Sequence, residues 1–299
     1  MRAELAEVRR AGATSPLGSF VTCIGRATGR RAGDVRTVKD THKSESWTTG
    51  AYERFADTHI EPGVFFAVRT DGHHFHEVTR DMKKPYDERF RALMSRAIRT
   101  YMLRRDCLPF IAFAFSDEVS FVFRSDDGVY SRRIEKLDSL VASALSAILT
   151  RTMRRVAFFD ARAVVLPRLR DVIRYLAERQ NEARRDCING YTFYTLVQSG
   201  LTHEQAGEAM RNWKFPRMSR YLRENKIIFG KLPSWQRRGE AIHWKAYRKS
   251  GFNPVTRKRS VAVRYGLVRN DGLPYFASES GRRLVQKALE ARRGAGAPR

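Results

Sequence analysis

The chain has 299 residues, of which 42% are apolar, enough to bury a sizeable core plus a satellite or extension and to exclude wholesale disorder. Its 57 Lys/Arg against 32 Asp/Glu give a net charge of +25, so the expected partner is a polyanion, nucleic acid before an anionic membrane surface. Residues 211–299 alone hold 23 basic against five acidic residues, which places most of the excess, and an expected phosphate-backbone contact, in the last third.

Cys23, Cys107 and Cys187 are odd in number, far apart and without CxxC spacing, so they imply neither a disulfide framework nor a zinc site and suit a reducing compartment. No apolar run approaches the ~20 residues of a membrane span, and the first residues lack the continuous apolar segment of a signal peptide. A cytoplasmic location is expected. The Arg-rich, Ser/Thr-containing start leaves a mitochondrial one as the alternative.

Residues 1–58 show weak periodicity and many Gly, Ser, Thr and Arg, which reads as a flexible basic extension with one short helix at 2–10. Organisation begins at Gly63. The run VFFAVRT (64–70) is a short apolar strand that stops at the turn signal Asp71-Gly72. Phe90, Leu93, Met94, Ala97, Ile98, Tyr101 and Met102 then recur at helical spacing, predicting an amphipathic helix from Pro85 to about Arg104. PFIAFAF (109–115) and VSFVFRS (119–125) form a hairpin across Ser116-Asp117-Glu118. A second helix spans about 130–152, and VAFFDARAVVLP (156–167) is a fourth strand.

Strand, helix, strand, strand, helix, strand is the split βαβ order, an α+β ferredoxin-like fold of the polymerase and cyclase palm type. Both helices should cover one sheet face and leave the other open to substrate. Residues 59–232 are read as this palm with helical additions at about 168–183, 186–199 and 202–211, the last capped by Thr202 with Gln205. Residues 233–299 are read as a basic, aromatic extension. There Trp235, Trp244, Tyr247, Phe252 and Tyr265 lie among Arg237, Arg238, Lys245 and Arg248, a pattern suited to stacking on RNA and gripping phosphate.

In that topology the end of the first strand and the hairpin connection are neighbours, so Asp71 and Asp117-Glu118 converge at one corner. Asp-Gly and Ser-Asp-Glu are each ordinary turn chemistry on their own. Together they make a hard oxygen donor set for Mg²⁺, and two such ions about 4 Å apart can serve phosphoryl transfer. His73, His74 and His76 lack further ligands at transition-metal spacing.

The stretches RTDGHHFH (69–76), KKPYDERFRALM (83–94), FSDEVSFVFR (115–124), SRRIEKLDSLVAS (131–143), FFDARAVVLP (158–167), ERQ (178–180) and QSGLTHEQA (198–206) resemble, in order, the tRNA-histidine guanylyltransferase superfamily. The likeness is greater to its broader branch, 3′–5′ polymerases that repair tRNA 5′ ends. The resemblance implies a metal-dependent nucleotidyltransferase that adds nucleotides, GTP preferred, to the 5′ end of tRNA. A 5′-monophosphate end is first activated with ATP, whereas a triphosphate end is attacked directly. It also implies two Mg²⁺ ions and a homotetramer.

By the same resemblance Asp71, Asp117 and the Gly72 carbonyl are metal ligands, with Glu118 the adjoining catalytic acid. Lys84, Asp87 and Ser116 lie near the activating nucleotide. His76 matches the motif's histidine, and His73 occupies a basic position expected to touch triphosphate. Arg132, Arg133 and Lys136 match basic positions for triphosphate or the RNA 5′ end. The sequence departs from the family at Phe115 (usually Gln), at Tyr86 (Asn in the KPND motif) and at RRDCINGY (184–191), which stands where HINNLYN reads the histidine tRNA. Arg184 takes that motif's histidine position and is expected to contact RNA.

Overall fold

The computed structural model describes residues 53–295 other than 54, 105–107 and 256. The expected helix at 2–10, nearly all of the N-terminal extension, Cys23 and Cys107 lie outside the described residues. The elements are β1 (Phe65–His73), α1 (Phe75–Val78), α2 (Glu88–Met102), β2 (Ile111–Phe115), β3 (Glu118–Phe123), α3 (Ile134–Met153) and β4 (Phe158–Leu166). There follow α4 (Leu169–Gln198), α5 (His203–Met210), α6 (Phe215–Glu224), α7 (Ser234–Arg238), β5 (Glu240–Asn253), β6 (Lys258–Asn270) and α8 (Glu279–Ala295).

The strands form one sheet in the order β4-β1-β3-β2-β5-β6, every neighbouring pair antiparallel. Its first four strands are the expected split βαβ arrangement. Side chains alternate between its faces, as strand geometry requires. Phe66, Val68, Phe121 and Phe123 pack with α2 and α3 on one face, where Phe66 and Phe123 stack at 4.8 Å. Phe65, Ala67, Ile111, Phe113 and Val122 point to the other. Each buried Phe, Val or Ile among them contributes about 2 kcal/mol of transfer free energy.

That second face is not open as expected. Val172, Leu176 and Ala183 of α4 and Val285, Ala288 and Leu289 of α8 cover it, because both helices carry apolar stripes that need a partner. Helix α4 is also one helix of 30 residues rather than two. Residues 184–186 continue the helix without a break, Arg185 and Asp186 exposed and Arg184 half-buried.

The segment 233–299 is not an appendage. Ala241, Ile242 and His243 of β5 pair with β2, so the palm sheet runs on into this region, and α8 returns to its core. Beyond Trp244, among the described residues, the strands β5 and β6 pair only with each other, forming a two-stranded ribbon that ends at Asn253 and Lys258. Smaller features follow the sequence closely. Thr202 and Gln205 make the expected reciprocal cap of α5, and Asp87 caps α2 by accepting from the Phe90 amide at 3.0 Å.

Candidate active site

Strand β1 delivers Asp71 to the corner reached by the β2–β3 hairpin. Thr70 pairs with Val119 and Phe115 with Glu118, which leaves Ser116 and Asp117 as a two-residue connection. Ser116 takes a left-handed φ of 52°, the conformation such a tight connection demands. Asp117 closes back onto β1. A Cβ placed on Gly72 would sit 2.6 Å from Asp117 Oδ2 and would collide with the Phe75 ring, so only glycine admits the carboxylate this near the backbone.

Asp117 is held above the usual carboxylate range by burial and by the charge of Asp71, against the pull of the Ser116 hydroxyl and Lys84. Burial likewise lowers the Lys84 ammonium, opposed by Asp81, Asp87 and Asp117. Lys84 donates to Thr79 Oγ1 at 2.9 Å and follows Lys83, whose amide is bound by the capping Asp87. The Lys84–Pro85 peptide is cis.

Two cavities meet at this hairpin. One, of about 240 Å³, is lined by Lys84, Tyr86, Arg91, Phe115, Asp117 and Trp235 among others. The second, of about 520 Å³, opens between the sheet and α4 and is lined by Arg69, Asp71, Asp117, Glu118, Arg179 and Asp186. Tyr86, Phe115, Ser116 and Asp117 belong to both. A phosphate chain lying across Asp117 could thus have its base on one side and its acceptor on the other.

Glu118, expected as the adjoining catalytic acid, lines the second cavity with Asp71 and Asp117. Its carboxylate accepts two hydrogen bonds from Arg179, at 2.9 and 2.7 Å, in the bidentate geometry that makes such pairs strong. Burial raises the Glu118 acid, countered chiefly by Arg179. Arg69 Nε lies 3.9 Å from Glu118 Oε2 and is buried without a hydrogen-bond acceptor, a cationic group aimed into the second cavity. Arg69 and Arg179 stand within the matched stretches, yet their pairing across 61 residues with Glu118 has no local sequence signal.

His76, Lys84, Asp87 and Ser116 line the first cavity. His73 ends β1, exposed, its ring 4.0 Å from that of His74. Arg132, Arg133 and Lys136 are not brought to the carboxylates. Helix α3 starts where β3 ends, at the far end of the sheet, and β1 rises about 3.3 Å per residue, so ~20 Å separates them from Asp71. Arg132 is 7% exposed and donates to the carbonyls of Ile60, Val64, Ser125 and Asp127, with its guanidinium over the Phe66 ring. It is a structural clamp rather than a phosphate ligand. Left-handed backbone at Tyr130, Ser131 and Arg132 turns it inward. Arg133 is tied to the Ala56 carbonyl and Glu135, whereas Lys136 is exposed on α3.

Arg184 stacks on Phe215 at 4.3 Å, in a small core formed by Ile188, Met218 and Leu222. Arg237 and Arg238 donate to the Leu232 and Leu273 carbonyls, and Arg238 covers Tyr275. Lys245 and Arg248 are exposed on the ribbon, three residues apart and so on opposite faces of β5.

The profile of the family described as tRNAHis guanylyltransferase matches residues 48–167. A probable tRNA(His) guanylyltransferase of Drosophila melanogaster is 31% identical over 199 residues, covering 62% of this chain and 69% of that protein. The tRNA(His) guanylyltransferase of Saccharomyces cerevisiae is 29% identical over 171 residues, 52% of this chain and 72% of its own. The crystal structure of the S. cerevisiae protein superposes with a TM-score of 0.57 at 26% identity, covering 64% of this chain and 91% of that one. A bacterial tRNA(His) guanylyltransferase-like protein in complex with ATP shares the fold, with a TM-score of 0.61 at 22% identity over 81% and 97% of the two chains. The palm, the acidic corner and these likenesses agree: the chain belongs to the tRNA(His) guanylyltransferase family and is a nucleotidyltransferase.

Proposed function

We propose that this nucleotidyltransferase adds nucleotides, GTP preferred, to the 5′ end of tRNA in the 3′–5′ direction. The observation that carries the reading is the placement of Asp117 at the junction of two cavities, buried against the charge of Asp71, which lines the second of them. Two carboxylates so placed repel each other unless a cation lies between them. Asp71, Asp117 and the Gly72 carbonyl are hard oxygen donors, the set Mg²⁺ takes together with phosphate oxygens and water. The close approach that Gly72 permits fits the same donor set. Bound there, Mg²⁺ would neutralise developing phosphate charge and polarise the attacking hydroxyl.

The chain's own residues account for the rest. The first cavity takes the activating ATP, its base among Tyr86, Phe115 and Trp235 and its phosphates toward Lys84 and Ser116. Arg69, whose Nε has no acceptor, offers the second cavity a donor for the 5′-phosphate end or a triphosphate, while Arg179, held by Glu118 and Glu182, adds positive charge beside it. In the first step the 5′-phosphate oxygen of the RNA attacks the α-phosphorus of ATP and pyrophosphate leaves. The 3′-hydroxyl oxygen of GTP then bonds the activated 5′-phosphorus and AMP departs. On a triphosphate end the same attack expels pyrophosphate. Glu118, clamped by Arg179, orients the hairpin and Arg69 instead of binding metal. RNA lies along the basic ribbon, with Lys245 and Arg248 as phosphate contacts. We propose a homotetramer as the working assembly, and the cytoplasm as its location.

The test is incubation of the full chain with 5′-labelled, 5′-truncated tRNAs, ATP, GTP and Mg²⁺. Lengthening at the 5′ end is expected, and Asp71→Ala should abolish it with RNA binding retained. Folded protein that extends none of several tRNAs, monophosphorylated or triphosphorylated, would overturn the assignment.

A further inference from the structure

The three departures from the family's motifs meet in one place. The Tyr86 ring lies 5.7 Å from Phe115, 6.0 Å from Tyr191 and 6.0 Å from Trp235. Behind it, Tyr86 and Cys187 are hydrogen-bonded; burial pushes the thiol up to about 12 and holds the phenol above its ordinary value, so both stay neutral. Helix α4 passes close by at Gly190. A Cβ there would lie 3.4 Å from Pro85 Cβ and 3.9 Å from the Tyr86 hydroxyl. Tyr191 donates to Gln236 Oε1 at 2.7 Å, which fixes α4 to α7. Aromatic side chains thus replace the amide-bearing Asn and Gln as a braced partition between the two cavities.

That partition offers π surface and no edge-reading amide. Several polar groups of the first cavity are already engaged. Glu240 is bound by Ser95 and by Arg91 at 2.8 Å, and Arg91 also holds Asp271 at 2.7 Å while lying over Trp235. Asp87 is occupied as the α2 cap. Lys84, Ser116 and Asp117 lie together by the acidic hairpin, where phosphates are needed. A base entering the cavity therefore meets stacking partners on its faces, while Glu240, Arg91 and Asp87 are committed to partners within the protein. Stacking rewards ring area and tolerates edge chemistry, whereas rejection of one isosteric base for another requires buried polar groups that would be left unpaired.

We propose that Tyr86 and Phe115 set the nucleotide specificity of this cavity, selecting purines by stacking without distinguishing adenine from guanine. This rests on the reading of the cavity as a nucleotide site. Equilibrium binding of ATP, GTP, CTP and UTP, each with Mg²⁺, to the full chain tests it. ATP and GTP are expected within fivefold of each other, and both pyrimidine nucleotides more than fivefold weaker. Phe115→Leu, which keeps apolar volume but removes the π surface, should bring purines and pyrimidines within fivefold. Tyr86→Phe, which keeps the ring, should retain the purine preference. Separation of ATP from GTP by more than fivefold, or an intact purine preference in Phe115→Leu, refutes the proposal alone. Binding of none of the four nucleotides by folded wild-type chain refutes the nucleotide site itself.

Discussion

Replacing Gly72 by alanine puts the acidic corner under a defined load. The added Cβ would lie 2.6 Å from Asp117 Oδ2, where ordinary contact begins at 3.4 Å, so the carboxylate must retreat by 3.4 − 2.6 = 0.8 Å. The Phe75 ring, closer still, has little room to yield. It is 6% exposed, with Phe159 at 5.0 Å and Phe90 at 5.9 Å. Overpacking of this kind costs about 1–3 kcal/mol, which a core of this size survives. Metal–oxygen distances tolerate only ~0.2 Å, and a misplacement near 1 Å costs about 100-fold in rate. The expected outcome is therefore a folded variant that has lost about 100-fold in single-turnover addition of GTP to a triphosphorylated, truncated tRNA. Urea unfolding monitors the fold in parallel. A folded Gly72→Ala chain working within threefold of wild type would refute the claim that the chemistry depends on Asp117 lying against β1.

Asp117→Asn should abolish extension and raise the melting temperature of the metal-free protein at neutral pH. The sign follows from a folded pKa raised above the unfolded one: the ionised form costs stability above that pKa, and the cost is relieved as pH falls through it. For the same reason wild-type extension should fall off on acidification above the pH expected of an ordinary Asp, with added Mg²⁺ moving that limb lower; a limb insensitive to Mg²⁺ counts against Asp117 as a ligand. Arg132→Ala should destabilise by about 3 kcal/mol through its carbonyl contacts, measured in urea, with nucleotide affinity unchanged at temperatures where the variant is folded. Arg179→Ala leaves Glu118 largely unpaired and should cost about 2 kcal/mol together with weaker binding of 5′-triphosphorylated RNA; unaltered RNA-end affinity would remove Arg179 from the second cavity's work.

The palm was legible because its signals are local. Short apolar runs, two amphipathic helices and turn residues between them suffice for a split βαβ order, and that order alone brings Asp71 and Asp117 together. What escaped depends on long-range pairing. Strand β6 has a period-two run, Val261, Val263, Tyr265 and Leu267, but it lies among Lys245, Arg248, Lys249, Arg264 and other cations that make the whole segment read as a basic extension. Arg132 sits in a run of polar residues that reads as a solvated helix start, and only the left-handed backbone before α3 sends it inward. Glu118 reads as a third site acid until Arg179, about three turns into a distant helix, is seen to hold it. Tyr86 and Phe115 were visible as departures. That they touch was not.

The ribbon beyond Trp244 has a further consequence for how the protein behaves in bulk. Past that residue both strands expose an unpaired main-chain edge, and Phe252, Val261 and Val263 are 62%, 64% and 54% exposed. Bare edges with apolar side chains invite strand-to-strand stacking between molecules, and like charge is what deters it. The cations that attract RNA therefore also serve as the colloidal guard. Titrating them with polyanion near charge equivalence removes that guard, so turbidity should peak at intermediate RNA-to-protein ratios and clear again in excess RNA or high salt.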